Sequence, residues 1–297
     1  MSNLSLYLAC VLIWGSTWIA ITLQFGAVPA ELSVAYRFGF AAMMLFCWCL
    51  VKGLPLRYAL RDHLLLALTG VLMFGINYVL VYYSEMQISS GLVAVLFSTF
   101  VFMNLFGARI FFGNPMRPEV VGGALLGFLG ILLVFWPEVA KFSHAGGALT
   151  GLALGLLATL SASLGNMVMV RNQRSGIPVV QANAWGMFYG SLCVFACAAV
   201  AGRTLVFEPT LKYTLSLLYL SVFGSVLAFG AYMTLVHRIG PERAGYTSVV
   251  IPIVALIIST VFESFQWHLA TVAGVALCIG GNVLVLKTAR RSAAAAG

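Results

Sequence analysis

The chain is built from apolar runs of roughly 20 residues separated by short polar gaps, and each run is long enough to cross the ~30 Å hydrocarbon core of a bilayer as a helix. Helices satisfy their own backbone hydrogen bonds, which lipid requires of a spanning segment. Cutting the sequence at charged, proline-rich and glycine-rich gaps gives ten candidate spans: 4–24, 31–51, 63–83, 90–112, 118–136, 147–170, 178–201, 212–236, 243–262 and 267–287.

Composition excludes most soluble classes of protein. Apolar residues make up 62% of the 297 residues and charged residues only 8%, against roughly 25% charged in a typical soluble domain. We therefore predict an all-α, multi-pass integral membrane protein, with the lipid bilayer as its main partner. The net charge of +8 comes from basic residues scattered among the gaps, so nucleic-acid binding is not expected.

The basic residues are unequally distributed between the two sides of the membrane. If the N-terminus is cytoplasmic, the inside segments hold Lys52, Arg57, Arg61, Arg109, Arg117, Arg171, Arg174, Arg238, Arg243, Lys287, Arg290 and Arg291, and the outside segments hold Lys141, Arg203 and Lys212. Cytoplasmic loops are enriched in Lys and Arg. This bias predicts that both termini are cytoplasmic.

Short features recur in the same order in the two halves of the chain. The echoes are Pro29 and Pro178, Phe74-Gly75 and Phe229-Gly230, and Gly123 with Gly130 against Gly274 with Gly281. They predict one five-helix repeat over 1–142 and a second over 143–291, with 292–297 as a tail outside the fold. Because five is odd, the second repeat enters the membrane inverted, an arrangement typical of transporters with a substrate site between the repeats.

The order of motifs resembles the drug/metabolite transporter superfamily in its EamA-type branch. The resemblance covers about residues 4–287 and is carried by Trp14-Gly15-Ser16, Pro29, Arg37, Pro252 and the run Glu263…Gly274…Gly281. It implies a ten-helix exporter of small metabolites, a family whose members include amino-acid exporters. Two features depart from the half-to-half symmetry: Phe112 stands where Glu263 would be matched, and span four has no proline to match Pro252.

Motifs for catalysis and cofactors are missing from the sequence. It contains no GxxxxGK phosphate loop and no HExxH metal motif, and its four histidines lie at span ends. Its eight acidic residues lie at or near gaps, which does not favour a carboxylate relay at the midplane. We therefore expect no enzyme activity, no cofactor, no metal site and no ATP binding.

Arg37 is the one clearly intramembrane charge, and two interpretations are open. A guanidinium can bind a substrate carboxylate through two parallel hydrogen bonds. Alternatively, because Arg37 lies near the start of its span, it extends to the outer interface or pairs with backbone carbonyls.

Polar and aromatic residues within the spans are the other candidates for substrate contact. The predicted set is Trp14, Arg37, Asn77, Tyr78, Tyr82, Ser98, Thr99, Asn166, Trp185, Tyr232, Tyr246 and Ser248. Some have structural alternatives: core packing for Trp14, an outer aromatic belt for Tyr82, and hydrogen bonds to the helix backbone for serine and threonine. Pro252 is either a hinge for alternating access or a static kink.

The combined interpretation is a secondary transporter of the cell inner membrane that exports a small-molecule substrate by alternating access. An amino acid with an aromatic or other hydrophobic side chain suits a cavity lined by Trp and Tyr. Exporters of drugs or other amphiphilic metabolites, and a non-transporting membrane subunit or receptor on the same bundle, are the alternatives.

Overall fold

The computed structural model describes residues 1–114, 118–140 and 145–296, and regular structure within these ranges is helical. The α-helices, in chain order, are α1 Asn3–Thr22, α2 Ala30–Val51, α3 Leu60–Thr69, α4 Asn77–Glu85, α5 Ser90–Phe97, α6 Phe100–Phe112, α7 Pro118–Ala140, α8 Ala145–Arg174, α9 Val179–Val200, α10 Leu211–Leu218, α11 Ala228–Ile239, α12 Pro241–Ala244, α13 Thr247–Phe262 and α14 Leu269–Ala296.

Two stretches of π-helix interrupt these α-helices. The first π segment, Gly70–Ile76, joins α3 to α4, and the second, Tyr219–Leu227, joins α10 to α11. Each lies inside the third helix of one predicted repeat. The hydrophobic pattern did not predict either of them. π-Helical turns are rare and frequently occur at functional sites.

The predicted spans agree closely with the helices. Within the described ranges, nine helical stretches are long and apolar enough to cross a membrane: Asn3–Thr22, Ala30–Val51, Leu60–Glu85, Ser90–Phe112, Pro118–Pro137, Gly147–Arg174, Val179–Val200, Leu211–Ile239 and Leu269–Lys287. The span predicted at 243–262 is instead the 16-residue helix α13, which is about 24 Å long at 1.5 Å per residue. It is shorter because Pro241–Ala244 forms a separate helical turn before it.

Helix ends follow local chemistry in some places and differ from expectation in others. Gly113 ends α6 in the left-handed conformation (φ 69°), which glycine adopts without a Cβ penalty. The alanine-rich end was expected to lie outside the fold, whereas α14 continues to Ala296. Alanine is the strongest helix former, which explains this continuation.

The chain divides into two compact units. The first comprises residues Met1–Ile19, Ser84–Leu156 and Ala228–Gly297, and the second Ala20–Tyr83 and Leu157–Leu227. This division follows packing and runs across the predicted repeats, so the repeats stay a prediction.

In the first unit, α7 and α14 pack together most extensively. Their backbones approach closely at glycines, since a Cβ added at Gly123 would lie 2.8 Å from the carbonyl oxygen of Gly281. The same addition at Gly130 would lie 2.6 Å from the carbonyl oxygen of Gly274. Small residues permit such close helix packing where lipid provides no hydrophobic driving force.

The second unit is organised around α9, which packs against α2 and the first π segment. A Cβ added at Gly70 would overlap the carbonyl oxygen of Gly186 and lie 2.9 Å from the backbone nitrogen of Gly190. This close packing fixes the first π segment on α9. It also positions the residues that follow the segment, Asn77 and Tyr78.

Candidate functional site

Arg37 lies in α2 and is buried inside the second unit, with only 1% of its surface exposed. Its Nε atom donates a hydrogen bond to Ser225 Oγ at 3.3 Å. The guanidinium carbon lies 4.5 Å from the centre of the Tyr78 ring and 5.1 Å from that of Phe38. The interpretation in which Arg37 extends to the surface is therefore wrong, because the side chain turns into the protein.

Ser225 belongs to the second π segment and connects it to Arg37. Its Oγ donates to the carbonyl oxygen of Leu220 at 3.0 Å, so the same oxygen accepts from the guanidinium with a lone pair. Ser225 was not among the predicted site residues, because a serine within a helix usually bonds the backbone carbonyls of its own helix.

Asn77 and Tyr78 begin α4, directly after the first π segment. Asn77 is 3% exposed and donates through Nδ2 to the carbonyl oxygen of Met73 at 3.0 Å. Its Oδ1 atom is buried without a hydrogen-bond partner in the described structure. Tyr78 packs edge-on against Phe38, with ring centres 4.7 Å apart. Arg37, Tyr78 and the adjoining Asn77 are thus gathered in one region of the second unit.

Tyr82 is fully buried, with 0% of its surface exposed, so its assignment to an outer aromatic belt is wrong. Its hydroxyl donates to Oε1 of Gln24, and its ring packs edge-on against Phe25. Sequence reasoning missed Gln24, although a polar residue at the end of an apolar run is a usable signal.

Tyr83 follows Tyr82 in the chain, and its hydroxyl donates to the carboxylate of Glu31 at 2.6 Å. Arg203 forms an ion pair with the same carboxylate at 3.7 Å. These contacts join the start of α2, the end of α4 and the segment after α9.

A separate aromatic cluster lies in the first unit. The ring of Trp14 lies 5.3 Å from that of Phe229 and 5.4 Å from that of Tyr232. Trp18, one helical turn further along α1, packs edge-on against Phe97 at 4.9 Å. Trp14 and Tyr232 are therefore neighbours, which a shared role in substrate contact requires. Trp14 can be either a core-packing residue or part of a cavity wall, and both interpretations stay open.

Trp185 lies in a third cluster, formed within the second unit by α9, α3 and the segment before α3. Its indole nitrogen donates to the carbonyl oxygen of Leu56 at 3.2 Å, and its ring lies 4.6 Å from that of His63. Tyr189 stacks on Trp185 and bonds His63 Nδ1 at 3.0 Å. Desolvation by burial raises the pKa of the neighbouring Tyr58 phenol above its ordinary value.

The predicted hydroxyl residues mostly bond nearby backbone. Thr99 donates to Leu96 at 2.6 Å, and Ser248 donates to Gly245 at 2.7 Å. Ser98 is buried, and its side chain interacts with the Cys278 thiol. Both Ser98 and Thr99 lie where α5 gives way to α6.

The remaining predicted residues lie in both units. Asn166 is half-buried in α8, in the second unit, and Tyr246 precedes α13, where its backbone carbonyl accepts from Tyr7 at 3.2 Å. Pro252 is buried within a helix that continues on both sides of it.

No cluster of three or more potential metal ligands is found among the described residues.

Comparison with known proteins identifies the class of this helical membrane protein. Residues 1–136 and 149–287 match the EamA-like transporter family. The chain belongs to the EamA-like transporter family and is a multi-pass inner membrane protein.

Several relatives carry transporter names. The chain is 30% identical to the inner membrane transporter YedA of Escherichia coli over 258 residues, covering 85% of this chain and 80% of YedA. It is 23% identical to the transporter YoaV of Bacillus subtilis over 250 residues, covering 84% of each chain. It also resembles Protein PecM of Dickeya dadantii, with 24% identity over 96% of this chain and 92% of PecM. A solved crystal structure shares the fold with a TM-score of 0.70 at 17% identity, covering 98% of both chains.

Proposed function

We propose that this protein is a secondary transporter that exports small amphiphilic metabolites, with aromatic or other hydrophobic amino acids as the substrate class. Transport proceeds by alternating access around a central cavity between two inverted five-helix repeats, with both termini in the cytoplasm. The observation that carries the proposal is the family match, which falls into two stretches, 1–136 and 149–287, close to the two predicted repeats.

The glycine contacts between α7 and α14 support the inverted repeat. In the sequence echo, Gly123 corresponds to Gly274 and Gly130 to Gly281. In the structure, Gly123 approaches Gly281 and Gly130 approaches Gly274. Gly123 thus contacts the counterpart of Gly130, and Gly130 contacts the counterpart of Gly123. A two-fold axis between the two helices produces this pattern. A two-fold axis is what an inverted repeat requires.

The two π segments give a second, independent argument for the repeat and for movement. Gly70–Ile76 and Tyr219–Leu227 occupy the third helix of each predicted repeat. π-Helical turns are rare, have a hydrogen-bond pattern different from that of the α-helix, and recur at functional sites. The segments are candidates for the places where the third helices bend during transport.

Proteoliposome flux provides the direct test. Purified protein in liposomes preloaded with labelled phenylalanine, tryptophan, leucine or alanine should release at least one of them faster than protein-free liposomes. Excess unlabelled substrate outside should accelerate the release of label if carrier exchange operates. Absence of amino-acid release by correctly folded protein, with release of amphiphilic dyes instead, would identify a drug exporter. Absence of release for both groups of compounds would favour a non-transporting membrane subunit.

A further inference from the structure

The positive charge of Arg37 lacks a compensating carboxylate in the described part of the chain. The ion pair found there joins Arg203 to Glu31 and does not involve Arg37. A charged side chain inside the membrane is costly unless it is paired or hydrogen-bonded. The described contacts satisfy only part of the guanidinium, because the Nη1 atom is buried without a hydrogen-bond partner.

The remaining contacts fix the orientation of the guanidinium. Ser225 holds Nε, while the rings of Tyr78 and Phe38 lie at 4.5 and 5.1 Å from the guanidinium carbon. Such contacts stabilise a cation without neutralising it. They also restrict the rotamers of a long side chain, so less entropy is lost when a ligand binds.

We propose that Arg37 binds the carboxylate of the transported substrate, with Nη1 as a donor to the carboxylate oxygen. This inference rests on the proposed transport function and specifies the substrate as an organic acid or zwitterion. Among the described residues, Arg37 is the one cation at this site. Its single positive charge matches the single negative charge of a carboxylate better than the charge of nearly −2 on a phosphate monoester at neutral pH. The ligand replaces the missing counter-charge, and the aromatic rings around the guanidinium provide apolar contact for a hydrophobic side chain.

Acid and amide forms of the same compound distinguish this proposal from a structural role. Binding is measured as the shift in thermal unfolding of the detergent-purified protein with four pairs: phenylalanine and phenylalaninamide, leucine and leucinamide, alanine and alaninamide, and benzoate and benzamide. Inorganic phosphate serves as the other oxyanion. The wild-type protein should bind at least one acid more tightly than its amide and more tightly than phosphate.

Substitution of Arg37 tests the assignment to this residue. Arg37→Lys keeps the charge and loses the fork of donors, so it should weaken acid binding by roughly 10- to 100-fold, since hydrogen bonds to charged groups have this worth. Amide binding should change by less than about threefold. Arg57→Lys, at an exposed arginine before α3, is the matched control and should leave the acid preference intact. If Arg37→Lys does not fold, Ser225→Ala is the second variant. It keeps the guanidinium and removes its hydrogen bond to Ser225 Oγ, so it should weaken the binding of acids more than the binding of amides.

The outcomes separate this inference from the proposed function. Equal binding of acid and amide in every pair, tighter binding of phosphate, or equal losses for acids and amides in the variants would overturn the assignment of Arg37. Proteoliposome flux of the same compounds is recorded in parallel. Flux that does not distinguish acids from amides would leave transport standing and overturn the carboxylate site, whereas acid-selective binding without flux would overturn transport alone.

Discussion

The carboxylate of Glu263, at the end of α13, accepts hydrogen bonds from the backbone nitrogen of Ser90 at 3.1 and 3.2 Å and from its hydroxyl at 2.6 Å. Ser90 is the first residue of α5, so a negative charge lies at the N-terminus of a helix, where the helix dipole stabilises it. Ser259 donates to the same carboxylate at 2.6 Å. Glu263 therefore joins α13 to α5 within the first unit.

These contacts predict a structural role for Glu263. Glu263→Gln replaces one acceptor oxygen by a donor that faces other donors, so stability should fall by about 1–3 kcal/mol. Flux per folded molecule should persist, because the residue serves packing. Thermal unfolding and proteoliposome flux measure the two effects, with Glu119→Gln, at an exposed position in the first turn of α7, as control. Complete loss of flux in a stable variant would indicate a carboxylate relay.

The sequence predicted most helices because membrane crossing depends on the length of apolar runs. The predicted span 31–51 lies within α2, Ala30–Val51, and the predicted span 90–112 contains α5 and α6. The π segments were not predicted, since the length of an apolar run carries no information on how the backbone hydrogen bonds are arranged within it. The break between α5 and α6 at Ser98 and Thr99 was missed for the same reason.

The candidate site was predicted in part. Burial of Arg37 and Asn77 follows from the cost of exposing polar groups to lipid, and Tyr78 is half-buried beside Arg37. Their partners could not be predicted, because pairing Arg37 with Ser225 requires knowledge of which helices pack together. Likewise, the aromatic content alone could not separate the cluster of Trp14 and Tyr232 from that of Trp185 and His63.

Close packing at Gly70 predicts a large effect of a single methyl group. Gly70→Ala would bring its Cβ against the carbonyl oxygen of Gly186, and neither backbone can yield without separating the first π segment from α9. We expect destabilisation of about 1–3 kcal/mol or more from this overpacking. Gly280→Ala, a helical position with open space around it, is the control and should be neutral or slightly stabilising. Chemical denaturation in detergent measures both, and equal midpoints would contradict the observed packing.

The proposed topology predicts opposite labelling of two exposed positions. In a background lacking the six native cysteines, Arg57→Cys, before α3, should react with a membrane-impermeant maleimide only from the cytoplasmic side. Thr204→Cys, after α9, should react only from the outer side. Intact cells and inverted vesicles provide the two sides. Reaction of both cysteines from one side would exclude the inverted ten-helix arrangement.

Asn77 provides the test of recognition that is least confounded by folding. Its Oδ1 acceptor is buried and unpartnered, so Asn77→Ala removes the Nδ2 bond to Met73 and also relieves an unsatisfied polar atom. These two effects on stability oppose each other, and the unfolding temperature should change little. If the substrate donates a hydrogen bond to Oδ1, transport should weaken several-fold to roughly tenfold, the worth of one net hydrogen bond of about 0.5–1.5 kcal/mol. Asn114→Ala, at an exposed position after α6, should leave both quantities unchanged. A lower unfolding temperature with wild-type flux would assign Asn77 to helix structure, because a group needed only for folding lowers stability without changing the affinity for substrate.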